Sequence, residues 1–365
     1  MSLVLKIESL PKYLIFLFSL LTVIVLGFFD YITGTDFSFY LFYVLPVLFA
    51  VWFAGKSYGF FITLVCFAAW YFDAFYHRAL EIDYWLIFWN MFVELAFFVI
   101  VIISISALKK AIKKHEEMEM QKITRELEIA KDVQQKLLPR NSPEIKNLDY
   151  FGLCIPAEAV GGDYFDYFKI NKDEIAFAIA DISGHGLSSA LLMAGLVGFV
   201  RSNAMMYNDD LKIFMEKVNG LMCGTTDGSK FATFFYSVYN SETRILKFVN
   251  AGHNPPFLYK SKTKTFEELK TDGFIIGAIS SFQYKESQTT LENNDVLLFY
   301  TDGITETFNL KNEQFGEDRL KKTIEENLNL PSKEFCEKII KDVREFSEGK
   351  EQADDMTLLA IKFNF

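Results

Sequence analysis

Little in this 365-residue chain invites covalent cross-linking: its 4 cysteines (Cys66, Cys154, Cys223 and Cys336) are scattered without metal-ligand or disulfide spacing and read as reduced thiols. Positive charge is also short. There are 37 Lys and Arg against 47 Asp and Glu, a net charge of −10, which argues against nucleic acid as a partner. No small-residue cleavage site follows the first apolar stretch, so a cleaved leader is not expected. Glycine and proline are missing from 109–138, a charged segment that runs without a helix breaker as far as Pro139.

Apolar residues are what the chain has in excess: 51% are hydrophobic and 39 are Phe, and the surplus falls before residue 108. Four runs, at 13–29, 38–54, 58–72 and 84–108, predict a four-helix transmembrane domain over 1–108. About 20 helical residues cross a hydrocarbon core, so the first and last runs fit well and the middle two sit near the short limit. Lys6, Lys12 and Lys56 flank one side of these runs, and Lys109, Lys110, Lys113 and Lys114 follow the last. Asp30 and Asp36, then Asp73, Arg78, Glu81 and Asp83, fill the other two connections. Lys-rich connections stay cytoplasmic, which predicts a multi-pass protein in contact with lipid, with both termini inside. Asn90 and Glu94 share a helix face, as do Asp73 and His77. The first pair reads as a signal-responsive group or as interhelical glue. The second reads as a metal or proton sensor or as a solvated helix end.

Residues 109–139 form the expected linker. Met120, Ile123, Leu127, Ala130, Gln134 and Leu137 follow a 3.5-residue repeat, the pattern of a short coiled coil and a homodimer contact, or of an amphipathic helix packed on its own domain. The remainder, 140–365, alternates strand-like and helix-like runs. Strands are predicted near 148–157, 164–170, 174–180, 231–239, 243–250, 295–300 and 356–363, with turns at Asn171-Lys172-Asp173 and Asn240-Ser241. Helices are predicted at 187–201, 210–222, 317–327 and 332–346. Grouped strands with paired helices argue an α+β domain, its helices packed on stacked sheets.

Four aspartates stand at the edges of these runs: Asp163 in Gly161-Gly162-Asp163, Asp181 in Asp181-Ile182-Ser183-Gly184-His185-Gly186, Asp302 in Thr301-Asp302-Gly303, and Asp354 in Asp354-Asp355-Met356-Thr357. One such residue is an ordinary cap or turn former. Four at element boundaries form a set of hard oxygen donors suited to Mg²⁺ or Mn²⁺ and to water activated against a phosphate.

Together with the 128–139 segment, Ala251-Gly252-His253-Asn254-Pro255-Pro256 and Phe315-Gly316-Glu317, these motifs resemble the bacterial SpoIIE-type serine phosphatases, a branch of the protein phosphatase 2C-like class. The resemblance spans about 126–365. It implies an αββα sandwich with two Mn²⁺ or Mg²⁺ ions between the sheets, held by Asp163, Asp181, the Ile182 carbonyl, Asp302 and Asp354, with Asp181 bridging both. It makes Asp181 and Asp302 catalytic, His185 a candidate general acid, and Asp355 a group that fixes Asp354. The implied substrate is a phosphorylated anti-anti-sigma-type regulator of the STAS fold, and the implied site is a bacterial inner membrane. His253, in a turn before two prolines, reads as a structural hydrogen-bonding residue. The arginine that eukaryotic relatives place on the phosphate has no counterpart before Asp163, and Arg201 lies too far along its helix. Gly161-Gly162-Asp163-Tyr164-Phe165 also suggests a diguanylate cyclase, but Tyr164 stands where that family needs an acid and the later motifs have no place there. A catalytically inactive binding module is the other alternative; the presence of all four carboxylates weighs against it.

Overall fold

The structure, a computed structural model, describes residues 6–7, 9–33, 39–77, 84–140, 143–226 and 228–365. Two compact units divide at Ile123 and Thr124. In the first, α1 (Lys12–Thr33) is followed by a 3₁₀ turn (Tyr40–Tyr43), α2 (Val44–Phe49), a widened π turn (Ala50–Ala54) and α3 (Lys56–His77). The second apolar run is therefore not one uniform α-helix. Pro46 sits in the first turn of α2, where its missing N–H costs nothing, and the π turn ends at Gly55. Val23, Tyr43, Val47, Ile62, Phe98 and Ile102 form a small core, while Leu17, Phe18, Leu21, Leu64, Trp85 and Phe88 stay exposed.

Lys12–Thr33 and Phe88–Leu137 are long and apolar enough to cross a membrane, and Leu41–Ala54 and Lys56–Phe72 are shorter apolar helices. Asp30 belongs to α1 rather than to the connection after it. Its carboxylate is buried because the Phe39 N–H and the Tyr43 hydroxyl both donate to it, at 2.8 Å each. Glu94 is half-buried one turn from exposed Asn90. Asp36, Arg78, Glu81 and Asp83, and the side chains of Asp73 and His77, lie outside the described residues. The fourth run continues without a break into the charged segment as α4 (Tyr84–Leu137), 54 residues long.

The second unit is an αββα sandwich. One sheet has the order β1 (Leu148–Ile155), β10 (Met356–Phe363), β9 (Val296–Tyr300), β6 (Phe257–Lys260), β7 (Thr265–Glu268). The other has β2 (Tyr164–Lys169), β3 (Glu174–Ile182), β4 (Ala232–Asn240), β5 (Ile245–Ala251), β8 (Ser287–Thr290). Facing apolar residues such as Phe177, Phe235, Phe299, Leu359 and Ile361 fill the space between the sheets. Helices α5 (Leu187–Tyr207) and α6 (Leu211–Thr225) cover the second sheet through Met193, Leu196, Phe214 and Val218. Helices α8 (Gly316–Glu326) and α9 (Ser332–Phe346) cover the first through Leu320, Phe335 and Ile339, after a single turn α7 (Asp302–Thr305). Length and hydropathy alone would also admit α5 as a membrane span, but its apolar side chains are built into this core.

Candidate metal centre

Antiparallel pairing decides where the aspartates fall. Tyr164 pairs with Ala180, so the start of β2 and the end of β3 share one edge, and Asp163 and Asp181 stand there together. Leu358 pairs with Tyr300, so the end of β9 and the start of β10 likewise coincide, bringing Asp302 near Asp354. The two pairs come from different sheets and meet at one end of the sandwich. Hydroxyls of Thr301 and Thr357 cross from the first sheet to donate to Asp163 Oδ2, at 2.8 and 2.5 Å.

The acids repel one another. Asp163 is 2% exposed, and burial followed by the charges of Asp181 and Asp355 holds its carboxyl well above the usual range. Burial, then Asp302, Asp354 and Asp355, pushes Asp181 up to about 7. Burial, Asp354 and Glu306 raise Asp302. Among the described residues no three acidic, histidine or cysteine side chains close on a single point. That donor set fits hydrated divalent cations, which keep several waters and take few carboxylates, and whose charge would relieve the repulsion. The Ile182 carbonyl oxygen faces Gly162, lying 2.8 Å from where a Cβ on that glycine would stand. The close approach requires glycine there.

Residues outside the four aspartates also hold this edge. Asp355 does hold Asp354, through its own N–H, which donates to Asp354 Oδ1 at 2.8 Å. Its carboxylate accepts from the N–H groups of Ala157, Gly162 and Asp163, clamping the loop that carries Asp163. Gln134, a heptad position within the 128–139 segment, is buried at the end of α4 and exchanges two hydrogen bonds with the Gly161 backbone, at 2.7 and 3.1 Å. Its polarity within an apolar repeat was the available signal. His185 is exposed, and its Nδ1 lies 2.7 Å from Glu158 Oε1. His253 is buried between the sheets. The Tyr300 carbonyl, 3.2 Å away, can only accept, so Nε2 carries the proton and Nδ1 accepts from Thr233 at 2.7 Å. Burial pushes this imidazole down to about 4, so it is a neutral strut. Arg201 spends its guanidinium on buried Asp166, with bonds of 2.7 and 3.0 Å.

Residues 171–364 match the family Stage II sporulation protein E (SpoIIE). The chain is 30% identical over 242 residues to phosphoserine phosphatase RsbU of Bacillus subtilis (strain 168), covering 66% of this chain and 71% of RsbU. It is 23% identical to phosphoserine phosphatase RsbP of the same organism, over 65% of this chain and 57% of RsbP. Among solved structures, the PP2C domain of SiaA from Pseudomonas aeruginosa aligns with a TM-score of 0.61 at 21% identity, over 67% of this chain and 99% of that domain.

Proposed function

The chain belongs to the SpoIIE family of PP2C-type serine phosphatases, and on that premise we propose a membrane-anchored, Mg²⁺- or Mn²⁺-dependent hydrolase of a phosphoserine or phosphothreonine protein. The observation that carries the reading is the row of mutually repelling carboxylates drawn from both sheets at one edge of the sandwich. Asp163, Asp181, Asp302, Asp354 and the Ile182 carbonyl would hold two ions. Such ions supply a polarised water and neutralise phosphate charge.

The protein's own groups do the rest. Thr301 and Thr357 aim Asp163, and Asp355 and Gln134 fix its loop. Hydrolysis joins a water oxygen to phosphorus, breaks the bond from phosphorus to the serine oxygen, and leaves an alkoxide in need of a proton. His185, oriented by Glu158, is the proposed donor. Relationship to phosphoserine phosphatases supports a protein substrate, and the proposed one is an anti-anti-sigma-type STAS regulator. The apolar helices before α4 support anchoring in a bacterial inner membrane with the catalytic unit cytoplasmic. The unbroken α4 supports signal transmission along a linker that also dimerises the chain.

The test is phosphate release from a phosphoserine protein by the full chain in detergent, with and without Mn²⁺, alongside Asp302→Asn. Metal-dependent release lost in the variant is expected. Metal binding without turnover, by protein in membranes as well, would instead leave the inactive-module reading.

A further inference from the structure

We propose that Lys230 is the cation that receives the phosphate group of the substrate, in the role for which no arginine precedes Asp163; the assignment rests on the phosphatase reading. Asp181 pairs with Thr233 and Ile182 with Ala232, and beyond the strands the pairing continues: the Ser183 N–H donates to the Phe231 carbonyl at 2.9 Å and the Phe231 N–H to Ser183 Oγ at 3.0 Å. The next pair in that register is Gly184 with Lys230. The lysine thus stands across the turn that follows Asp181 and Ile182.

Its ammonium donates to the Ser183 carbonyl at 2.9 Å, and Nζ lies 2.6 Å from where a Cβ on Gly184 would be. Gly184 has φ +82°, a backbone shape that disfavours any other residue, and its bare Cα leaves room for the ammonium. An ammonium carries three donors, and the carbonyl uses one. A positive charge beside a metal-binding turn has an evident use in drawing in a phosphate dianion, to which lysine binds as a point charge.

Other basic groups near this edge are committed or lie elsewhere. Arg201 is forked onto Asp166, and Lys350 donates to Asn309 and Asn312. Arg344 lines the cavity on the Asp354 side, and exposed Lys322 on α8, 3.8 Å from Glu326, serves as the control.

The experiment titrates inorganic phosphate into the full chain in detergent with saturating Mg²⁺, by calorimetry, and measures kcat and KM on a phosphoserine protein in parallel. Lys230→Met is expected to weaken phosphate binding about tenfold and raise KM similarly, the loss of one charge-assisted hydrogen bond. Lys230→Arg should restore most of it, Mg²⁺ affinity should hold, and Lys322→Met should stay within about twofold. The assignment falls if Lys230→Met binds phosphate as the parent does, or if the parent binds none. It also falls if Lys230→Met loses Mg²⁺ affinity and thermal stability together with phosphate binding and arginine restores nothing, because the lysine then only holds the Ser183 turn. Lys230-dependent phosphate binding by a parent chain that hydrolyses no ester would leave the cation site standing and remove the phosphatase reading.

Discussion

Asp163 and Asp354 belong to one row of acids but have opposite surroundings. Asp163 is sealed at 2% exposure, accepts two threonine hydroxyls, and rides on a loop clamped by Asp355 and Gln134. Asp354 is exposed at the lip of a cavity of about 440 Å³, lined in part by Gly303, Glu306, Phe308, Arg344 and Lys350. The row has a fixed wall and an open one. In the proposed two-ion site the rigid carboxylate would be pre-oriented for its ion, whereas the exposed one beside open space would be free to rearrange.

Removing charge between the two walls should have the largest effect. If Asp181 holds metal as proposed, Asp181→Asn is expected to cut turnover by about 10³-fold or more. The same change should stabilise the metal-free protein by a few degrees (~1–2 kcal/mol). The sign follows from the raised carboxyl. With a folded value of about 7 against an ordinary 3.8, its contribution to metal-free stability is whole below about pH 4 and is lost as pH rises through 7. Melting curves in chelator at pH 5 and pH 8 should therefore differ more for the parent than for the variant.

Loosening the fixed wall comes next. Gln134→Ala strands the Gly161 N–H and carbonyl, at a cost of about 1–3 kcal/mol, and should lower kcat at least tenfold while raising the Mg²⁺ needed for half-activity. An unchanged metal requirement would show that the clamp does not set Asp163.

His253 tests the tie between the sheets. Its folded value of about 4 lies below the ordinary 6.5, so the unfolded chain binds the proton more readily and stability falls as pH drops from about 6.5 to 4. The difference amounts to roughly 3 kcal/mol. Urea titrations at pH 7 and pH 4.5 should reveal it, and His253→Gln should flatten that dependence.

The smallest effect is expected at the exposed pair of Glu158 and His185. Glu158→Gln should lower kcat about threefold on phosphoserine and less on an aryl phosphate, whose leaving group needs less help from an acid. Equal losses on both esters would point to a role in packing alone.

Most of the architecture was readable from local pattern. The strand and helix runs, the hairpins, and the four aspartates at element ends all follow from periodicity and turn chemistry, and helix 332–346 has the bounds expected of it. The four-residue strands β6, β7 and β8 escaped because so short a run carries little alternation. The apolar run at 38–54 looked uniform, since hydropathy does not register Pro46 or a π turn. Asp355 shows the deeper limit. Its tie to the neighbouring Asp354 is legible and present, whereas the use of its carboxylate by the N–H groups of Ala157, Gly162 and Asp163, nearly 200 residues earlier in the chain, is not. Pairings across the sandwich have no local signature. For the same reason Arg201 could be set aside as a phosphate ligand, yet its bond to buried Asp166 could not be foreseen.

The division of the acids between two sheets has a mechanical consequence. Asp163 and Asp181 rise from one layer, Asp302 and Asp354 from the other. A cation shared among them would act as a removable rivet between layers that are otherwise joined by side-chain packing and by the hydrogen bonds of Thr301, Thr357, Asp355 and His253. Drawing the rivet lets that edge gape before the rest separates, so magnesium should slow the opening of the sandwich as well as shift its equilibrium.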